Sequence, residues 1–264
     1  MKLSDIIEKI EARIPKYWAE DWDNPGLAVG RSASDITRIA AALDATADNV
    51  EKAAALGCGM LVTHHPVIFR PVSSVTDAGI AGRALLAAAE KKLAVYSVHT
   101  NWDCSPEGVN YSLALLLGIR SPRPLVPAQN GAWGLGASGG LPASLSCAAF
   151  LNTLHERWGL NDFTFYGDAG REIRQISLGG GACQDLWRNA LEEGADCFIT
   201  ADVSYHVREE ALAAGLNIVS ADHGEMERAS LPALAEVLKE ETWLEVLLLK
   251  ETKCPYLHWN QNLI

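Results

Sequence analysis

Residues 36–66 read ITRIAAALDATADNVEKAAALGCGMLVTHHP, and the order of patterns in this stretch decides the fold. Ile36 to Leu43 is an apolar run of strand length. Residues 46–56 place apolar and charged side chains at helical spacing, and Gly57 supplies a helix stop. Gly59 to Thr63 is a second apolar run that ends abruptly at His64, His65 and Pro66. Strand, helix and strand within about thirty residues make a βαβ unit, whose crossover helix leaves the two strands parallel.

The same rhythm extends outward. Upstream, MKLSDIIEKIEARIP repeats Leu3, Ile6, Ile7, Ile10 and Ile14 at helical spacing between charges, as an amphipathic helix does and a secretory leader does not. A Gly- and Pro-containing turn at Asp23 to Gly26 then feeds the apolar Leu27 to Val29. Downstream, residues 79–92 read as a helix, Leu93 to Val98 as a buried strand stopping at HTNWD (99–103), and residues 106–117 as a helix. Ser121 to Gly140 is rich in Pro and Gly and is the expected boundary between lobes 1–124 and 125–264 of one unit. The second half predicts helices over 144–158, 182–193, 204–214 and 222–238, and strands over 173–178, 197–200, 216–220 and 243–250. The expected fold class is α/β: two interlinked lobes with mostly parallel sheets covered by helices.

Composition narrows the functions. The chain has 264 residues, 48% hydrophobic and 21% charged, as an ordinary globular protein does. The formal charge is −11 and no Lys/Arg run forms a stripe able to track phosphates, which argues against nucleic-acid binding. The longest apolar run, Leu113 to Ile119, falls far short of the about 20 residues that span a bilayer. Cysteines 58, 104, 147, 183, 197 and 254 form no CxxC, a pattern of reduced thiols, so a cytoplasmic location is expected.

Position singles out the chemistry. His64 and His65, His99 and Asp103, Asp202 and His206, and His223 and Glu227 all follow directly after predicted strands and include five of the seven histidines. In open α/β sheets the loops at strand carboxyl ends converge on ligands, which puts the expected site there, between the lobes. On a helix, His223 and Glu227 stand four apart and share a face, so an imidazole and a carboxylate can meet one ion. Adjacent residues at a strand end point oppositely, so His64 and His65 share a centre only if the chain turns or two centres exist. Asp103 adds a carboxylate, or else caps a helix beginning near Pro106, although Ser105 is better placed for that. Imidazoles with carboxylates suit Mn, Fe, Co, Ni or Zn alike. Carboxylates can bridge two ions about 3.5 to 4 Å apart, an arrangement that activates water.

Two glycine patterns carry less. GLGASGG (134–140) satisfies GxGxxG, but no predicted strand precedes it and Pro142 follows, against a dinucleotide fingerprint. Gly179 to Gly181 lie between a strand and a helix start, where either a phosphate cradle or a tight turn would use them. No Walker A motif or Ser/His/Asp triad is legible.

Taken in order, DNPGLAVG, THHPVIF, HTNWD with GVN after it, and ITADVSYH followed by DHGEME resemble the NIF-three-like family over the chain from the first helix to about residue 230. Members are often named GTP cyclohydrolase type-two homologues. The resemblance implies a two-metal centre of divalent transition ions held by His64, His65, Asp103, His223 and Glu227. It leaves His99 and His206 as acid/base or supporting candidates. It also implies a ring-like homo-oligomer, commonly a trimer of dimers, and a short form without the domain some members insert. Pro25 stands where other versions have no proline, and Gly224 where an aromatic is common; neither is a ligand position. The expected activity is metal-dependent hydrolysis of a small nucleotide or phosphate-containing substrate, the alternative being a non-catalytic metal-binding or partner-binding assembly.

Overall fold

In the computed structural model, residues 1–250 are described; Cys254 lies outside them. The first half runs α1 (Leu3–Arg13), β1 (Gly26–Val29), β2 (Arg38–Ala42), α2 (Ala47–Ala55), β3 (Met60–Thr63), α3 (Ile80–Lys91), β4 (Ala94–Ser97), α4 (Thr100–Asp103) and α5 (Val109–Leu116). A two-stranded hairpin, β5 (Val126–Pro127) with β6 (Gly134–Leu135), leads into β7 (Ala137–Leu145) and α6 (Cys147–Trp158). The remainder is β8 (Phe163–Tyr166), β9 (Ile173–Leu178), α7 (Trp187–Glu192), β10 (Cys197–Ala201), α8 (Tyr205–Ala213), β11 (Asn217–Ala221), α9 (His223–Arg228), α10 (Leu231–Thr242) and β12 (Glu245–Leu248).

Two five-stranded sheets result, ordered β1-β4-β3-β2-β12 and β7-β9-β10-β11-β8. In the first, β2 pairs in parallel with β3 and β12, β3 pairs in parallel with β4, and only β1 is antiparallel. The second repeats the plan, with parallel β9, β10 and β11 between antiparallel β7 and β8. Each sheet is buried on both faces because its strands are apolar on both. Ile39, Ala41, Met60 and Val62 join a core shared with Ile199, Val219, Leu113 and Phe150, while Ala40, Ala42, Leu61 and Val95 pack in a separate cluster with Val50, Ala53 and Ala88. Phe198 and Ile218 likewise turn away from the shared core toward Trp187 and Ala211. The α/β class with mostly parallel sheets is therefore as the patterns predict. No helix among the described residues is long and apolar enough to cross a membrane.

Several boundaries differ, each for a physical reason. The Pro- and Gly-rich segment 121–140 holds the hairpin and the start of β7, because an edge strand tolerates residues that a central one cannot. GLGASGG is thus the end of the hairpin and the start of β7, joined at Gly136, not a turn opening a helix. Residues 144 and 145 end β7, and α6 begins only after Ser146, whose side chain accepts from the Ala149 amide. The expected helix over 182–193 is a single 3-10 turn followed by the short α7. The expected helix over 222–238 breaks at Ala229 and Ser230, and Pro232 opens α10 in the first turn, where its missing N–H costs nothing. α5 starts at Val109 behind Gly108, so neither Asp103 nor Ser105 is its cap; Asp103 instead ends the short α4. β8 is a strand that the patterns did not signal. The last strand, β12, returns to the first sheet beside β2, and α10 packs on α1.

Candidate metal centre

The carboxyl ends of β3 and β4 in one sheet face those of β9, β10 and β11 in the other, and the predicted loops converge there. His64 and His65 continue the strand pairing briefly: their amides donate to the carbonyls of Ala42 and Leu43. Beyond them Pro66 ends the strand direction. Both imidazoles thereby leave from one edge, with ring centroids 5.0 Å apart. From the other sheet comes α9, whose first turn is closed by the Asp222 side chain accepting from the Glu225 amide at 2.6 Å. That cap sets His223 at the first helical position and Glu227 one turn later on the same face, with Nε2 to Oε1 at 3.2 Å.

Glu227 is the meeting point. Its Oε1 lies 3.5 Å from His64 Nε2, and its Oε2 lies 2.8 Å from His65 Nε2 without the alignment of a hydrogen bond. Asp103 Oδ1 stands 3.7 Å from His64 Nε2. Among the buried polar atoms with no hydrogen-bond partner are three in this cluster, His64 Nε2, Asp103 Oδ1 and Glu227 Oε2. Leaving such atoms unpaired costs about 1–3 kcal/mol each, so their clustering calls for a ligand.

The opposite nitrogen of each ring is anchored. His64 Nδ1 donates to the Val98 carbonyl at 3.0 Å. His65 Nδ1 pairs with Asp44 at 2.8 Å, His99 Nδ1 with Asp23 at 2.7 Å and His223 Nδ1 with Asp202 at 2.7 Å. A carboxylate or carbonyl on Nδ1 fixes the tautomer and leaves Nε2 as the donor atom, which is how metal-bound histidines are ordinarily held. Of these three carboxylates, only Asp202 stood out at a strand end in the sequence; Asp23 read as part of a turn and Asp44 was missed, although it too lies just past a strand, β2.

Charge follows from the same contacts. Burial opposes the positive charge on His65, yet the carboxylates of Asp44 and Glu227 on either side outweigh it and hold the imidazolium up to about 10. The hydrogen bond with Glu227 holds His223 up to about 9 despite burial. Burial pushes the Asp103 carboxyl up to about 6 against the pull of His64. Burial works against the anion of Glu227 as well, but the surrounding imidazoles keep its carboxyl well below the usual range. For Asp23, burial is overcome by the hydrogen bonds from His99 and Thr100, and its carboxyl sits at about 2. Protons on the histidines thus supply the positive charge that a cation at the same point would bring, and a cation entering would displace them.

The donor set fits a metal ion. His64, His65 and His99 offer nitrogens within 4.8 Å of one another, and so do the donor atoms of His65, His223 and Glu227. His99 therefore stands within the donor cluster itself. His206 does not: it is exposed on α8, with its ring against Tyr205. The glycine turn explains how the two sheets approach. Gly181 has φ +71°, and a Cβ there would come within 2.4 Å of Glu227 Oε1 and 3.2 Å of His223 Nε2. A bare backbone is required against the cluster. The Gly180 amide donates to Asn110 Oδ1 at 2.8 Å, and Asn110 Nδ2 donates to the Asp103 carbonyl at 3.1 Å, so Asn110 links the turn to the segment bearing Asp103. A cavity of about 440 Å³ opens above the donors and includes Asp103, His99, His223 and Glu227 in its wall.

Comparison with known proteins finds relatives along nearly the full length of the chain. The family model described as Duf34/NIF3 (NGG1p interacting factor 3) matches residues 1–255. A Clostridium perfringens protein named GTP cyclohydrolase 1 type 2 homolog is 33% identical over 260 residues, covering 97% of this chain and 99% of its own length. A Lactococcus lactis protein of the same name is 32% identical, covering 90% of this chain and 92% of its own. Among solved structures, a Bacillus cereus protein related to NIF3 shares the fold with a TM-score of 0.91 at 20% identity, covering 98% of this chain and 99% of that one. Reduced HcgD from Methanocaldococcus jannaschii superimposes with a TM-score of 0.79 at 29% identity, covering 95% of this chain and 98% of that one.

Proposed function

This chain belongs to the Duf34/NIF3 family, and on that premise we propose that the cluster holds two divalent transition-metal ions and serves a metal-dependent hydrolase acting on a small nucleotide or phosphate-containing substrate. The observation that carries the proposal is the set of three buried, unpaired polar atoms on His64, Asp103 and Glu227, with His64 Nε2 3.7 Å from the Asp103 carboxylate and 3.5 Å from that of Glu227. Support for two ions rather than one comes from Glu227, whose Oε1 faces His64 and His223 and whose Oε2 faces His65, so that its two oxygens would offer separate donors. In this reading His64, His65, Asp103, His223 and Glu227 are the ligands.

Bound there, the ions would supply Lewis acidity toward a phosphoryl or carbonyl oxygen and lower the pKa of water toward neutrality. The protein's own part is orientation and proton handling. Asp44 and Asp202 hold His65 and His223 with Nε2 inward, and the buried Asp103 and Glu227 bring negative charge that offsets the ions. His99, fixed by Asp23, turns Nε2 to the cavity and is the candidate to carry a proton to or from the reacting group. No Lys or Arg lines the cavity among the described residues, so an anionic substrate would depend on the ions for its charge partner. The names of the relatives point to GTP, but nothing in the cavity wall reads guanine in particular.

Protein purified without an affinity tag should carry about two transition ions per chain, measured by plasma mass spectrometry, and lose them in His64→Ala and Glu227→Gln. It should then hydrolyse members of a phosphoester and nucleotide panel, with His99→Gln keeping its metal and losing about 10²- to 10⁴-fold in turnover. Metal-free wild type that stays empty with Mn, Fe, Co, Ni and Zn would sink the metal reading. Loaded protein inert toward every ester would favour the non-catalytic alternative.

A further inference from the structure

The donors form only the floor of their cavity; its mouth is aromatic. Trp22 is 60% exposed and Phe69 45% exposed, and both line the same cavity as His99 and Glu227. Their rings meet edge to face with centroids 5.8 Å apart, and each also stands edge to face with His99, at 6.3 Å and 6.0 Å. Two large apolar rings open to water beside a polar floor are a costly arrangement unless something covers them.

Although exposed, the pair is held in place. Asp23, next to Trp22, accepts from the Thr100 amide at 3.0 Å and pairs with His99. Asn24 Nδ2 donates to the carbonyl of Ile68, the residue before Phe69, at 2.6 Å. The two ring-bearing loops are therefore tied to each other and to the wall of the donor cluster. Rigid aromatic surface of this kind binds at low entropic cost. Leu135 and Leu186 continue the apolar lining below the rings.

We propose that Trp22 and Phe69 form a stacking mouth that makes the site select substrates bearing a planar aromatic or heteroaromatic ring, with the hydrolysable, oxygen-bearing end directed to the His and carboxylate floor. A bare phosphate or sugar phosphate meets the floor alone and lacks the contact that distinguishes one substrate from another. The direction of the substrate rests on the metal-site reading, whereas the stacking contact itself requires no ion.

The test compares adenosine 5′-monophosphate with ribose 5-phosphate, and adenosine with ribose, by titration calorimetry on the full chain with metal content recorded for every sample. Wild type should bind each ring-bearing ligand about tenfold or more tighter than its ringless partner, the scale of a base stacked on an aromatic side chain. Trp22→Ala and Phe69→Ala should bring that ratio toward one while retaining metal, and Trp22→Phe should keep most of it. A wild type with no ring preference, binding neither partner included, overturns the proposal. So do alanine variants that keep the ratio, including any whose assembly size falls, since the pair would then be an interface between chains. Wild type that stays empty with Mn, Fe, Co, Ni and Zn yet still prefers adenosine to ribose would sink the metal reading and retain the stacking mouth. Metal-loaded wild type blind to the ring would do the reverse.

Discussion

His65 shows what a single residue contributes here. Its Nε2 faces Glu227 because Asp44 holds Nδ1 at 2.8 Å, and the Asp44 side chain is 45% exposed, so removing it leaves no buried hole. Asp44→Ala should keep its fold and bind metal about 10- to 100-fold more weakly, the usual cost of losing a carboxylate behind a histidine ligand. Competition against a chromogenic chelator measures this, and an unchanged affinity would mean that Asp44 merely decorates the surface. The proposed ligand positions, His64, His65, Asp103, His223 and Glu227, were singled out in the sequence because they follow strand ends and repeat a known motif order. The supporting carboxylates were not. Asp in a turn ordinarily serves the turn, and nothing in a one-dimensional pattern joins Asp23 to His99 across 76 residues. His206 misled because the loop after β10 also ends a strand, yet its helix carries that ring outward.

Elements were readable where a periodic pattern coincided with burial, as in β3, β4, β9, β10 and β11, and failed where packing overrode composition. β7 pairs with β9 despite its glycines and Pro142: it is an edge strand, and Gly139 sits where a Cβ would strike Ile119. Junctions between elements are held by a few side chains that pattern reading passes over. Asn110, fully buried on α5, joins the Gly180 amide to the Asp103 carbonyl. Asn110→Ala should leave both groups unpaired and cost about 1–3 kcal/mol in urea unfolding, and an unchanged midpoint would show that Asn110 does not hold this junction. Asp196 plays a similar part at the foot of the second sheet, accepting from the Arg174 and Gln175 amides and from Arg171. Burial opposes its charge, but those donors hold its carboxyl below the ordinary range. Its contribution is therefore complete above the unfolded pKa of about 3.9 and fades as pH falls through the lower folded value. Across that acid window, Asp196→Asn should lose less urea stability than wild type; parallel curves would show that Asp196 is not a source of acid sensitivity.

At the scale of the molecule, the centre and the chain path both bind the two sheets together. The first sheet's loops bring His64, His65 and His99 as one donor group, and the second group, His65 with His223 and Glu227, draws on both sheets. The chain crosses the same divide, because α10 packs on α1 and β12 closes the first sheet after the second is finished. A cation held by His65, His223 and Glu227 would bind the assembled pair and keep at most two of those three donors once the sheets separate. Binding to the folded state alone stabilises it by RT ln(1 + [L]/Kd), about 2.7 kcal/mol at one hundred times Kd. For a chain of this size that corresponds to roughly 5–10 °C in Tm. Chelator-treated protein should melt lower by that order, recover on adding back the ion that copurifies, and show no response in Glu227→Gln, which removes the carboxylate both sheets share. Equal melting of loaded and stripped wild type would place the ion somewhere other than between the sheets.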